Sequence, residues 1–549
     1  MQNSDATLPF HQSDKRPDGH GFCRWLTVII AAFWMACPAS KSLGYETSDP
    51  VLNLMLEKGM VTESEAAKVQ AQVDARRSNP AAIFPDSKWK FNTGIKNMEV
   101  FGDLRLRYED RQAVDPTGGR IDLQRERYAI RFGVRGEALD DAYYGFRLET
   151  SSNPRSSWVT MGTSANSTTY QGPFGKSQAG INVGQIYFGW KLEKWLDITA
   201  GKMPNPLYTT PMVWSPTINP EGIAEHLKYT VGEMELFANF GQFLYQDMNP
   251  NSASGGLGFD GVFGQTTRNI FQVAWQGGLI YHISTNTTAK IGATFYQYFG
   301  QEASTANVAI SPYYGDTYVG EGAYTGPGSL NPVNGYSGYG FSGATSTGFP
   351  NNQVGLNNLE VLEIPFEINF KISKKLDARI FGDFAYNFQG RQRAQAAAAA
   401  YANYLGNPIS VSGNSPTPST ITAFSPQSDE CKAYQIGLAL GSEGGLGLVN
   451  GSTAKRHAWE VRTYWQHTEQ YALDPNLLDL DIFNGLANME GVFAAAAYGF
   501  TDNLIGTIRY GYASRINNKL GTGGSSGDIP QINPVSQYNL FQADLTFKF

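Results

Sequence analysis

The sequence predicts an all-β chain: a transmembrane antiparallel β-barrel of about sixteen strands, between about 14 and 18, behind a short N-terminal periplasmic helical segment. Three observations predict it. Apolar and polar residues alternate along many separate segments. Short and long connections between those segments also alternate. No segment after the leader is long and apolar enough for a membrane helix. Domain limits follow: a signal peptide over 1–44, a helical segment over 45–90, and a barrel over 97–549.

Composition agrees with that class. The 549 residues include 60 Gly, 32 Phe, 29 Tyr and 10 Trp, a mixture typical of turn-rich β proteins. Mean hydropathy is −0.31, too polar for a helical membrane protein. The formal charge of −7 leaves no basic footprint for nucleic acid. Of three cysteines, Cys23 and Cys37 flank the first apolar run and only Cys431 lies later, so a mature chain has no internal disulfide framework.

The elements follow in order. Lys15, Arg16 and Arg24 precede the apolar run Trp25 to Ala36, and Ala39, Ser40, Ser42 and Gly44 follow it. That is the pattern of an export signal, cleaved between about Ala39 and Gly44. Lipidation at Cys37 is an alternative. Two short helices follow. Gly59 stops the first, and Thr62 with Glu65 caps the second, which runs to about Arg77.

From residue 97 alternation takes over. Val100, Leu104, Leu106 and Tyr108 share one face of an extended segment; Phe101, Asp103, Arg105, Arg107 and Glu109 share the other. The pattern recurs at Tyr128–Val134, Tyr144–Leu148, Ile186–Trp190, Leu196–Ala200, Leu227–Val231, Met234–Phe240 and Phe271–Tyr281. It continues at Ala289–Phe295, Leu362–Phe370, Leu376–Tyr386, Tyr434–Leu440, Trp459–Trp465, Val492–Tyr498 and Leu504–Tyr512. The last segment is FQADLTFKF. Phe541, Ala543, Leu545, Phe547 and Phe549 form its apolar face. Connections at 139–142, 192–195, 231–234, 284–287, 372–376 and 500–503 are tight; the one around 442–456 is longer. Those near 151–179, 203–221, 246–267, 300–357, 389–430, 469–488 and 514–536 are long and rich in Gly, Ser and Asn. Short turns on one side and long loops on the other suit an outer-membrane barrel with both termini at the periplasmic rim.

The segments FGDLRLRYEDR, RERYAIRFGVRGE, YGFRLETS and AGKMPNPLYTTPMVWSPTINPEGIA, with the Leu54–Ala66 stretch, resemble the putative porins of Gram-negative bacteria. The resemblance implies an outer-membrane channel for passive transport of small solutes, in contact with lipid and lipopolysaccharide. It also implies that the barrel assembly machinery reads a C-terminal aromatic signal, here Phe547 and Phe549. A homotrimer is left open.

The candidate site is arginine on the wet face of the first three strands: Arg105, Arg107, Arg125, Arg127, Arg131, Arg135 and Arg147. Guanidinium stays charged, so a narrow pore lined this way concentrates anions. The opposing reading pairs them with Asp103, Glu109, Glu126, Glu137 and Glu149 as interior scaffold. Tyrosines in loop 300–357 suggest an alternative, a carbohydrate-selective channel; a plugged structural or adhesin barrel is another. Loop 151–179 is the expected constriction. An enzyme is not expected, because none of His226, His282, His457 and His467 sits in a catalytic motif. No metal or cofactor motif is present.

Overall fold

The computed structural model describes residues 94–114, 120–139, 141–151, 156–162, 180–246, 270–299, 359–392, 430–452, 455–474, most of 477–516, and 537–549. In the first unit, Met1–Thr93, it describes Lys58, Glu65 and Lys68. Glu65 and Lys68 are helical. The leader, its cleavage site, the rest of the two short helices, loop 300–357 and the 394–405 segment lie outside the described residues.

The second unit, Gly94–Phe549, is one antiparallel sheet of 17 strands. They are β1 (Glu99–Val114), β2 (Arg120–Ala138), β3 (Ala142–Ser151), β4 (Val159–Thr160), β5 (Gly180–Glu193), β6 (Leu196–Lys202), β7 (Glu221–Val231), β8 (Met234–Gln246) and β9 (Ile270–Ser284). The rest are β10 (Thr287–Phe299), β11 (Glu360–Ser373), β12 (Leu376–Asn387), β13 (Lys432–Ser442), β14 (Trp459–Thr468), β15 (Met489–Gly499), β16 (Leu504–Arg515) and β17 (Gln537–Lys548). Strand β4 has two residues and extends the wall above β3 by pairing with β2. The other strands are the sixteen of a closed barrel.

Closure is made by β1 and β17, which pair from Asp103↔Lys548 to Val114↔Gln537. An open edge in hydrocarbon would leave a row of backbone groups without partners, so this seam is obligatory. Phe549 extends it. Its carbonyl accepts from the Gly102 amide at 2.9 Å, and its own amide donates to the Gly102 carbonyl at 3.2 Å. The Phe549 ring lies over Gly102, where a Cβ would sit 2.7 Å from a ring carbon. Glycine at 102 therefore makes room for the terminal aromatic.

The two faces separate as the alternation requires. Leu104, Leu106, Phe132, Leu545, Phe547 and Phe549 are exposed on the outside, while Asp103, Arg107, Glu109, Gln542 and Asp544 are buried inside. Outside is lipid, so exposed apolar side chains are the expected finish of this surface.

Two loops turn into the lumen. Residues 203–220, between β6 and β7, and residues 469–488, between β14 and β15, meet there. The Ser215 amide donates to the Leu477 carbonyl at 2.7 Å, and the Ser215 hydroxyl donates to Asp479 at 3.2 Å. Met212, Val213 and Trp214 pack with Leu473, Leu477 and Leu478 against Ala274, Tyr296, Val361, Ala385 and Ala433 of the wall. At the periplasmic end, the connection 443–458 also folds inward. Its Leu448 and Val449 join Ile482, Phe483, Tyr464 and Phe493 in a second apolar cluster inside the barrel. The expected constriction at 151–179 contributes less among its described residues. Only Ser156–Val159 is buried, with Trp158 beside Arg107.

Candidate functional site

All seven predicted arginines stand at odd positions and share the inner side of the wall with Asp103 and Glu109. They divide into two sets. The upper set is sealed. Arg107 bonds Asp544 at 2.7 Å and Asp481 at 2.6 Å, with Trp158 stacked 4.1 Å from the guanidinium carbon. Arg125 pairs with Glu109 at 2.5 Å, and Arg127 lies 3.8 Å from the same carboxylate. Arg111, which the sequence reading omitted, pairs with Glu109 at 2.9 Å. Four guanidiniums thus converge on one carboxylate that is 0% exposed.

The lower set keeps solvent surface. Arg105 and Arg131 share Asp103, at 2.6 and 2.7 Å, and Arg147 bonds Glu149 at 3.3 Å. Their side chains are 20%, 15% and 12% exposed, against 2%, 6% and 2% for Arg107, Arg125 and Arg127. Arg135 pairs with Glu99 at the periplasmic mouth, where both are largely exposed. The partners nominated from sequence were partly right. Asp103, Glu109 and Glu149 serve. Glu126 has even parity and lies on the other face. Glu137 binds Asn97 instead, at 3.1 Å. Glu99, Asp481 and Asp544 were not nominated. Asp544 reaches Arg107 across the barrel seam and Asp481 reaches it from a loop, so local spacing holds no trace of those two; Glu99 faces Arg135 across the adjacent β1–β2 pair.

On the facing wall two acids, Glu363 and Asp383, are also sealed, whereas Glu367 keeps solvent surface and lies 3.5 Å from Arg379. Glu363 of β11 accepts from the Thr209 hydroxyl at 2.6 Å, from Tyr296 at 2.5 Å and from the Thr210 amide at 3.3 Å. The Thr210 hydroxyl donates to Asp383 of β12. The loop segment Tyr208–Thr210 is thereby fastened over both acids. Gln276 of β9 reinforces it, donating to the Tyr208 carbonyl and accepting from the Tyr208 amide, both at 2.8 Å. At the other end of the strap, Asp481 reaches Arg107. Burial opposes ionisation of Asp481, yet the Arg107 charge and its hydrogen bonds hold the carboxyl below the usual range. Its neighbour Asp479 differs. Burial, with the charge of Asp481, pushes that carboxyl up to about 7.

The strap therefore runs from an acidic wall to a basic wall. Neither loop had a charge pattern that foretold this. The usable signal was composition: a long connection containing apolar MVW and PNLL stretches is a candidate to bury itself. The inner faces of β3, β5 and β6 stay more open. Tyr143 donates to Asp197 at 2.9 Å and lies over Gly189, while Tyr187 lies over Gly145. The four histidines are dispersed: His226 contacts Asn239, His282 contacts Thr288, His457 contacts Tyr498, and His467 contacts Glu490.

A family model described as "putative porin" matches residues 61–549. The chain belongs to that family. It is a porin-like channel of the Gram-negative outer membrane. No curated protein matches it. Among solved structures, it is similar to the outer membrane channel DcaP of Acinetobacter baumannii at 10% identity, over 84% of this chain and 100% of that one, with a TM-score of 0.36. It is also similar to a loop L8 deletion mutant of OmpT, an outer membrane protein of Vibrio cholerae, at 9% identity over 82% and 99%, with a TM-score of 0.35.

Proposed function

We propose that the chain is a passive diffusion channel for small hydrophilic solutes that prefers anions, and not an enzyme. Of the seven arginines, Arg105, Arg131 and Arg147 set the field in the water-filled part of the pore. Arg107, Arg125 and Arg127 hold the strap, and Arg135 guards the periplasmic mouth. One observation carries this reading. The three lower guanidiniums keep solvent surface, while Glu363 and Asp383 of the facing wall are buried beneath the loop. A buried acid bonded to hydroxyls is remote from a passing ion. A guanidinium that keeps solvent surface is not, because the Debye length is about 8 Å at physiological salt. The net charge of −7 counts loops and outer surfaces that the ion hardly feels.

Reversal potentials in a salt gradient test it. Wild-type channels in a planar bilayer are expected to favour anions. Changing Arg105, Arg131 and Arg147 together to Glu should move the reversal potential toward cations. Cation-selective wild-type channels, or no shift in the triple variant, would sink the reading. A second reading, a plugged structural barrel, has its own support in the apolar clusters that fill the lumen. Conductance decides between them, since a plugged barrel passes no current. Export with cleavage between about Ala39 and Gly44 belongs to the same proposal. So does recognition of Phe547 and Phe549 by the assembly machinery.

A further inference from the structure

The strap is pinned over a charge that the wall does not balance. Glu363 of β11 and Asp383 of β12 are both buried inside the barrel, at 0% and 2% exposure. Asp383 stands opposite Pro365, two residues along from Glu363 on the same inward face. Their carboxyls lie within hydrogen-bond distance of each other. Every other buried acid on the described strands has an arginine: Asp103 has Arg131, Glu109 has Arg111, Glu460 has Arg462 and Asp544 has Arg107. Glu363 and Asp383 are met instead by neutral groups, the hydroxyls of Thr209, Thr210 and Tyr296 and the Thr210 amide. Of the cations on this wall, Arg379 turns to Glu367 at 3.5 Å and Lys290 lies 3.7 Å over the Tyr208 ring. Asp383 Oδ1 is buried and has no hydrogen-bond donor among the described residues. It belongs to a carboxyl that faces Glu363, so acceptor meets acceptor.

We propose that Glu363 and Asp383 bind a hard divalent cation, Ca²⁺, which ties the strap to the wall. Charges taken out of water are paired or coordinate a metal, because leaving them alone is costly. One proton shared between these acids would leave a negative charge still without a partner. A divalent cation between them balances both and gives Asp383 Oδ1 a contact. The donors suit calcium. They are all hard oxygens: two carboxylates and the hydroxyls of Thr209, Thr210 and Tyr296. A hydroxyl that donates to a carboxylate still has lone pairs for a cation. Ca²⁺ takes about 6–8 such oxygens in a loose geometry, water among them, whereas Mg²⁺ demands a near-ideal octahedron and keeps several waters. Thr209 and Thr210 are half-buried, so water reaches the strap above the acids and a cation can enter from that side. Residues 208–210 thereby form a metal-dependent clasp. The inference is independent of pore selectivity.

The test uses the full chain refolded in mild detergent, stripped with EDTA and given Ca²⁺ alone. Calorimetric titration should show a site in the wild-type chain that Asp383→Asn weakens at least about tenfold, the loss that removing even a supporting group brings. Glu221→Gln, which changes an exposed acid at the rim, should bind Ca²⁺ as the wild type does. Heat-modifiable migration on gels checks that each variant is a folded barrel. A second measurement needs no variant. Hydrogen exchange of the Thr210 amide, which donates to Glu363, should be slower with Ca²⁺ than with EDTA at the same pH. Should Asp383→Asn fail to fold, that comparison decides alone. No Ca²⁺ uptake by the wild type, equal uptake by folded Asp383→Asn, or Thr210 exchange indifferent to Ca²⁺ would each overturn the proposal and leave the pair to protons. Weaker uptake by Glu221→Gln would overturn it too, by placing the ion at the rim.

Discussion

Two arginine clusters sit on the same strands, two or three steps apart, and behave as different materials. Around Glu109, four guanidiniums are out of water and locked between the wall, the seam and the loop at 481. Around Asp103, Arg105 and Arg131 share one carboxylate and still reach solvent. The residue type is the same and so is the inward parity. What differs is the cover. The loops at 203–220 and 469–488 fill the lumen at one level and leave it more open at the other. A guanidinium under that cover is a strut, because its charge is spent on buried partners. One outside it keeps solvent surface. The lesson is that inward direction makes a residue a lumen residue, and the loops decide whether it is a pore residue.

The comparison can be broken first at Glu109. Glu109→Ala removes the carboxylate that holds the sealed cluster together and leaves Arg107, Arg111, Arg125 and Arg127 crowded. Breaking a buried ion pair from one side costs about 3–5 kcal/mol. A lower unfolding midpoint in urea, with the chain refolded in vesicles, would measure it. The opposite outcome, an unchanged midpoint, would mean that water reaches the upper cluster after all. Asp103→Ala should cost less, since its partners Arg105 and Arg131 keep some solvent surface.

The seam comes next in size. Deleting Phe549 removes the ring over Gly102 and the last two backbone bonds of the closure. The amount of heat-modifiable barrel in membranes should fall several-fold, while Lys548→Ala should have little effect. Equal yields would leave Phe549 as a girdle residue and nothing more.

The strap should respond to pH at Asp479. Its carboxyl titrates at about 7 when folded, above the ordinary 3.8. A raised carboxyl contributes stability that is complete below the ordinary value and lost as pH rises through the folded one. The junction with Ser215 should therefore loosen between about pH 4 and 7. Hydrogen exchange of amides near Ser215 and Leu477, corrected for intrinsic rates, should be more protected at pH 5 than at pH 8. Asp479→Asn should flatten that dependence; if the slope persists, another group drives it.

The smallest effect belongs to Arg135→Ala. Its pair with Glu99 is exposed on both sides, and such pairs are worth about 0–1 kcal/mol. Stability should not change measurably. A large loss would show that the mouth is packed and not open.

Much of this was legible from the chain alone. Alternation with period two is a local property, so it assigned the inner and outer faces from Val100 to Phe549 and found each of the sixteen wall strands. Loop length alternation told which end of the barrel carries the long connections. The inward arginines could be named because parity suffices to name them. The sealed half could not be read this way. Arg107 meets Asp481 and Asp544 across 374 and 437 residues of sequence, and Thr209 meets Glu363 across 154. Nothing near either residue records the other. Which loops enter the lumen was not legible for the same reason: 151–179 was chosen and lies mostly outside the described residues, while described residues of 203–220 and 469–488 meet inside. A loop's place depends on the apolar recess and the polar partners that a closed wall offers it, and these exist only after β1 has paired with β17. The sequence by itself determined the barrel and the direction of its side chains. The tertiary structure decided which of its charges remain in water, because that depends on what closure brings to bear on each one from the far side of the chain.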